Sequence, residues 1–382
     1  MRDGVMSNPS PRPPSSPSLP WRVSSSVIMG LTGSISRGFL HGLNYMDVIG
    51  LDKFLETLDR RRDPEKRDRG LITVSNHVSV VDDPLIWGVL PFRYSINPGN
   101  HRWSLGSYDI CFQSKGLTGF FNLGQVLPTH REHTGSQYGG LFQPVMTQAI
   151  RLLSSQPFAK PPTSYTPTTD TSDPFSTGAL TYSTNGSDCF TAPSIYPSRR
   201  HSWIHIFPEG RVHQHPQKTL RYFKWGISRL ILESEPLPEI IPIFIDGNQD
   251  VMHESREFPR FIPRAGKNIR IAFGDSLDGE KIFGELRERW RKLVALQKEA
   301  LLRKGQETNW EMGELTEGLK YNTEAVALRK EVTLRIRQEV LKVRRSLGYP
   351  DEDPKQGLVE TWAEEGDTGT GRKKDGSWVG DT

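Results

Sequence analysis

Cysteine is nearly absent: two in 382 residues, Cys111 and Cys189. Two cannot build a disulfide framework, and neither has neighbours at zinc-ligand spacing, so no covalent staple, no metal centre and no cofactor is expected. Cys111 reads as a buried apolar residue and Cys189 as part of a linker. Hydrophobic residues are also sparse, at 35% of the chain, which leaves much of it outside a core. No apolar run makes a secure bilayer-spanning helix, which needs about 20 residues. Basic strips with interleaved aromatics and known nucleic-acid modules are missing. Nucleic acid is therefore set aside, although the net charge of +4 would suit it as well as an anionic lipid surface.

The chemistry that is present gathers at two strand ends. Residues 76–84, NHVSVVDDP, place His77 and Asp82 five positions apart, behind Leu71-Ile72-Thr73-Val74, an apolar run that reads as a buried strand. The Asp83-Pro84 step is a helix start, with Asp83 as N-cap and Pro84 at the first helical position. His77 then sits on a strand-to-helix turn, where imidazole can take and return a proton near neutrality while a carboxylate stabilises the imidazolium. The economical reading is a dyad that deprotonates a hydroxyl of the substrate, which attacks an acyl carbonyl directly. The plain alternative is a solvated loop histidine capped by a local aspartate. The second end is WIHIFPEGR, residues 203–211, a strand running into a turn with Glu209, Gly210 and Arg211. Glycine lets the backbone bend or approach a ligand, and a guanidinium there can grip phosphate.

In this order the two motifs resemble the glycerolipid acyltransferase superfamily, in which an H-x-x-x-x-D block does the chemistry and an F-P-E-G block binds the glycerol phosphate head of the acceptor. With RWSLGSYDICF at 102–112, FFNLGQVLPTHR at 120–131, FKWGISRLI at 223–231 and IPIFIDGNQDVM at 241–252, the six blocks are similar to the tafazzins. The resemblance implies CoA-independent acyl transfer between phospholipids and lysophospholipids, remodelling cardiolipin at mitochondrial inner and outer membranes that face the intermembrane space. Its partners would be cardiolipin, phosphatidylcholine and their lyso forms, a membrane surface, and membrane-protein complexes or an oligomer. It carries catalysis onto His77 and Asp82, and substrate binding onto Glu209, Gly210, Arg211 and Lys224. Arg211 follows glycine directly, where the superfamily usually reads F-P-E-G-T-R-S, so an atom-by-atom phosphate role does not transfer. An acyl-CoA-dependent lysophospholipid acyltransferase and a catalytically silent lipid-binding scaffold stand as alternatives.

Strand-like runs at 203–207, 240–245 and 269–273, separated by a helix-like 220–234 segment, argue an α/β fold: a mixed, mainly parallel sheet flanked by helices, with sites at strand ends. Residues 1–26, rich in Pro and Ser, read as a disordered tail. Residues 27–58 read as an interfacial anchor and lead-in helices, with Ile28, Leu31, Ile35, Phe39 and Leu43 near one face; a helix packed on the domain is the alternative. The acyltransferase domain covers 59–278, interrupted at 154–200 by a Ser/Thr/Pro-rich insertion expected to be disordered. Residues 279–349 form a charged helical region. In it Leu328, Val332, Ile336, Val340, Val343 and Leu347 make a stripe that either packs on the domain or lies on a membrane. Residues 350–382 read as a disordered tail. The 223–231 block, with Phe223, Trp225, Lys224 and Arg229, fits a helix at the lipid boundary, a wall of the acceptor site, or a buried connector.

Overall fold

The computed structural model describes residues 15–132, 136–158, 181–306, 308, 310–362 and 370–380. The Ser18 side chain caps α1 (Leu19–Leu43), with proline in the first turn. Strand β1 (Tyr45–Ile49) and α2 (Leu51–Arg60) lead to β2 (Leu71–Ser75), where every residue is buried. Next come α3 (Asp82–Gly88), α4 (Phe92–Ser95), β3 (Trp103–Ser107), α5 (Tyr108–Cys111), α6 (Lys115–Leu123), β4 (Val126–Thr129) and α7 (Pro144–Leu153). A small hairpin, β5 (Thr181–Tyr182) and β6 (Phe190–Thr191), precedes β7 (Trp203–Ile206) and β8 (Val212–Gln214). Helix α8 (Gly226–Glu233), β9 (Glu239–Asp246), α9 (Asn248–Val251) and β10 (Asn268–Phe273) complete the sheet region. Helices α10 (Gly279–Arg303), α11 (Glu317–Tyr321) and α12 (Thr323–Ser346) follow, then α13 (Val359–Trp362), β11 (Gly371–Arg372) and β12 (Trp378–Gly380).

Seven strands form one sheet in the order β1-β10-β9-β2-β7-β3-β4. All neighbours are parallel except β10 and β9, so the sheet is mixed and mainly parallel. Alternation along β2 sends Leu71 to one face and Ile72 and Val74 to the other, where separate apolar clusters receive them. Helices α7, α8, α10 and α12 cover the second face, and α1, α2 and α3 the first. β2, β7 and β9 run side by side in one direction, which brings their carboxyl ends to one edge, the place where sites form in such sheets.

Several segments differ from the sequence expectation. Helix α1 starts at Leu19, upstream of Val27. Part of the 154–200 insertion is ordered: Tyr182, Phe190 and Ala192 are buried with Phe112, and Ile195 is buried as well. The rest of that expectation, 159–180, lies outside the described residues. The 350–382 tail is partly built in, because β12 pairs antiparallel with β8 and Val379 is fully buried. Of the two readings of the α12 stripe, packing on the domain holds, with Leu328, Val332, Ile336 and Val340 fully buried. Its arginines are structural. Arg337 donates to the carbonyls of Leu220 and Arg221 and pairs with buried Glu352, and Arg344 donates to the carbonyls of Gln217 and Lys218. These clamps fix the chain that follows the F-P-E-G turn. Helix α8 is likewise no membrane element, since Ile227, Leu230 and Ile231 are fully buried and Arg229 is spent on a buried pair with Glu233. Among the described residues no helix is long and apolar enough to cross a membrane.

Candidate active site

The chain leaves β2 at Ser75 and turns back on itself before α3. The helix begins at Asp82, one residue before the expected N-cap, and Val81 occupies the cap position without a side-chain bond. Asp82 is instead turned toward the loop ahead of it: its Oδ2 accepts the backbone N–H of Val78 at 2.6 Å and of Ser79 at 2.8 Å. The same oxygen lies 2.8 Å from His77 Nδ1. Its other oxygen accepts from Asn248 Nδ2 at 2.9 Å, a bond that reaches across from the end of β9. Asp82 is completely buried and the His77 side chain 21% exposed, so the carboxylate is fixed by donors while the imidazole keeps a face to the cavity. A carboxylate only accepts, which puts the proton on Nδ1 and the basic lone pair on Nε2. Phe207 stacks on the imidazole with ring centroids 4.4 Å apart and fixes its plane.

Asp83 does different work. It accepts from Arg102 Nε at 3.1 Å and from the Trp87 indole at 3.2 Å, which ties α3 to β3. Burial pushes the Asp83 carboxyl up, but the Arg102 charge and the hydrogen bonds from Arg102 and Trp87 together hold it below the usual carboxylate range. His205, beneath Phe207, is fully buried and bonded to Thr73. Burial pushes it down to about 3, so it is neutral.

The F-P-E-G turn meets the histidine loop from the neighbouring strand end. Glu209 is 1% exposed, and its two oxygens accept the backbone N–H groups of His77 at 2.9 Å and Arg221 at 2.8 Å. Burial pushes its carboxyl up to about 8 against the pull of those donors. His213 is held neutral by the same burial, pushed down to about 3. Its backbone N–H donates to the His77 carbonyl at 2.8 Å, and Gln214 Nε2 donates to the Val78 carbonyl at 2.8 Å. Glu209 is therefore a brace for the backbone of His77, and it is not among the residues that line the cavity on which His77 opens. Arg211 is also buried and lies outside the cavity wall. Gly210 and Lys224 do line the cavity. Gly210 has φ +66°, and a Cβ there would lie 2.9 Å from Lys224 Cδ, so glycine is what lets the lysine stem cross the turn.

His77 opens on a cavity of about 1390 Å³. One part is apolar, walled by Leu105, Gly106, Ile110, Cys111, Phe121 and Val126. A side chain at Gly106 would run into Val126 at 2.4 Å and Cys111 at 3.2 Å. Cys111 is thus a half-buried wall residue, and burial pushes its thiol up to about 11, where it is no nucleophile. The polar part holds Lys224, Tyr222, Arg131 and His130, with Ser183–Gly186 from the ordered insertion. His130 stacks on Tyr108 at 4.2 Å and bonds Thr184 at 2.8 Å. Sequence reasoning missed this wall and the Asn248 support. An Asn185-Gly186 turn between Tyr182 and Phe190 was a hairpin signal for the wall.

No protein-family model matches the chain. Tafazzin from Saccharomyces cerevisiae is 34% identical over 350 residues, covering 90% of this chain and 83% of the relative. Taffazin from Dictyostelium discoideum is 28% identical over 68% of this chain and 72% of its own length. N-acylphosphatidylethanolamine synthase from Arabidopsis thaliana is 28% identical over 54% of this chain and 56% of its own. Among solved structures, the 1-acyl-sn-glycerophosphate (LPA) acyltransferase PlsC from Thermotoga maritima aligns with a TM-score of 0.38 and 14% identity, over 74% of this chain and 81% of that one. That likeness is too distant to carry the fold, which rests on the sheet itself. The yeast match runs over nine-tenths of the sequence, and the chain belongs to the tafazzin family of phospholipid acyltransferases.

Proposed function

We propose that the chain transfers acyl groups between phospholipids and lysophospholipids without coenzyme A, remodelling cardiolipin at mitochondrial membranes, with His77 as general base and Asp82 as its partner. The observation that carries the reading is the 2.8 Å contact of His77 Nδ1 with a buried carboxylate, on the wall of a cavity that combines apolar side chains with polar and charged ones. The lysophospholipid hydroxyl gives its proton to His77 Nε2 as its oxygen attacks the ester carbonyl of the donor lipid. Asp82 stabilises the imidazolium, and Nε2 then returns the proton to the departing glycerol oxygen as the old ester bond breaks. Positioned proton transfer of this kind contributes about 10²- to 10⁴-fold. One ester replaces another, so no activated thioester is required. The apolar part suits the acyl chain, and Lys224 suits a lipid phosphate.

The membrane contact in this reading is α1. Its inner side seats Gly30, Ser36 and Leu40 on the domain, and its outer side exposes Leu19, Val23, Val27, Leu31 and Ile35. Such a helix lies in the headgroup layer without spanning it. The test incubates the purified chain with lysophosphatidylcholine and acyl-labelled cardiolipin, with and without acyl-CoA. Label reaching phosphatidylcholine without acyl-CoA supports the reading. Transfer only with acyl-CoA assigns the CoA-dependent lysophospholipid acyltransferase instead, and no transfer under either condition points to a lipid-binding scaffold.

A further inference from the structure

Residues 255–264, SREFPRFIPR, join α9 to β10 and belong to no part of the site described above. Phe258 is 88% exposed, Phe261 74% and Ile262 44%. Isolated exposed apolar residues are ordinary, but two phenylalanines and an isoleucine at one loop tip form a patch that water covers at a cost. The loop is held in place. Its end is pinned where Arg264 N–H donates to the Val251 carbonyl, and the adjoining Gly266 N–H donates to the carbonyl of Leu43, the last residue of α1. Arg256, Arg260 and Arg264 brace it internally by donating to the carbonyls of Arg260, Glu254 and Glu257. The aromatic tip is thus presented by a scaffold of guanidiniums. With Lys267 these make four cations against one acid, Glu257.

Its place in the fold gives the patch its meaning. β9 runs parallel to β2, so the chain leaving β9 emerges at the sheet edge where β2 delivers His77. The loop also adjoins the carboxyl end of α1, where Leu43 is 56% and Tyr45 71% exposed. We propose that the 255–264 loop is a second membrane-docking element, which inserts Phe258, Phe261 and Ile262 into the headgroup boundary of an anionic phospholipid bilayer and seats the catalytic edge against lipid. The inference rests on the membrane-lipid reading above. Charge complementarity selects the occupant: Arg256, Arg260 and Arg264 lie within a few residues of the aromatic tip, where they would meet lipid phosphates, and a cation near an anionic surface strengthens binding roughly fivefold. With α1 the loop makes a two-point contact, so both attachments act together.

The test uses the full chain and vesicles of phosphatidylcholine with or without phosphatidylglycerol. Phe258→Ser with Phe261→Ser is expected to weaken co-sedimentation about tenfold or more. Arg260→Glu is expected to weaken it on the phosphatidylglycerol vesicles and leave the phosphatidylcholine ones unchanged. A Phe261→Trp probe should shift its fluorescence to the blue on vesicles and be quenched by brominated acyl chains. Acyl transfer from short-chain, monomerically dispersed lipids should be unchanged in the serine variant, which separates docking from chemistry. If no transfer is seen even in the wild type, the catalytic reading fails while the vesicle results still decide the docking. Unaltered vesicle binding with an unquenched tryptophan overturns the proposal. So does a dimer in sedimentation that the serine variant turns into a monomer, since the patch would then cover a second copy of the chain.

Discussion

Glu209 Oε1 accepts the backbone N–H of His77 at 2.9 Å, so the second motif holds the first by its main chain. His213 grips the carbonyl of the same residue, and the peptide of the proposed base is clamped at both ends. Glu209→Gln is expected to lower kcat by at least about tenfold with a smaller change in KM, because an amide nitrogen must face one of the two N–H donors and displaces the loop. An unchanged kcat would make Glu209 a packing residue only.

The same carboxyl gives a pH signature. Burial holds it at about 8 in the folded chain, above its ordinary 4.5, so the native state keeps a proton that the unfolded chain has released. Its contribution is fully present below 4.5 and is lost as pH rises through about 8. Denaturant midpoints measured across this window should fall with pH more steeply for the wild type than for Glu209→Gln. Parallel curves would show that Glu209 stays ionised.

Asp82→Asn should cost both activity and stability. Oδ2 serves His77, Val78 and Ser79 while Oδ1 serves Asn248, and an asparagine has one acceptor oxygen for those two sides. The expected destabilisation is about 1–3 kcal/mol, with transfer nearly lost because an amide cannot stabilise the imidazolium. Thermal unfolding and the transfer assay measure the two effects separately, and wild-type transfer would reduce Asp82 to a loop cap.

The His77 and Asp82 pair was legible because both residues lie on one loop, five positions apart. What holds them was not, because Glu209 is 132 positions from His77 and Asn248 166 from Asp82, and only the sheet order joins them. The mainly parallel sheet followed from apolar runs such as 203–207 and 240–245, where the buried residues of β7 and β9 lie. The arginines of α12 were the part of that helix the sequence did not place. The stripe read equally as packed on the domain or laid on a membrane, and Arg337 and Arg344 turn inward to carbonyls that no local pattern reveals. Composition likewise hid the 181–200 segment, where two aromatics and one turn suffice to dock a polar stretch beside His130.

The Arg337 and Glu352 side chains are 2% and 1% exposed, and this pair ties the start of the 350–362 segment to α12. Arg337→Met should destabilise the fold by about 3 kcal/mol, because Glu352 keeps only the Leu220 N–H and the longer 3.6 Å contact with Arg344, and the Leu220 and Arg221 carbonyls lose their donor. Joint replacement with Glu352→Leu should restore part of that loss, since Leu220 N–H then lacks its acceptor. Chemical denaturation of the two variants checks the order, and equal stability of single and double variants would contradict it.

Acyl transfer by His77→Ala, purified and assayed with lysophosphatidylcholine and labelled cardiolipin, tests the dyad most directly. The side chain sits at a strand-end turn and is partly exposed, so the fold and vesicle binding should stay close to wild type. Transfer should fall by about 10²-fold or more. A well-folded His77→Ala chain that still moves the label at the wild-type rate would contradict the proposed chemistry.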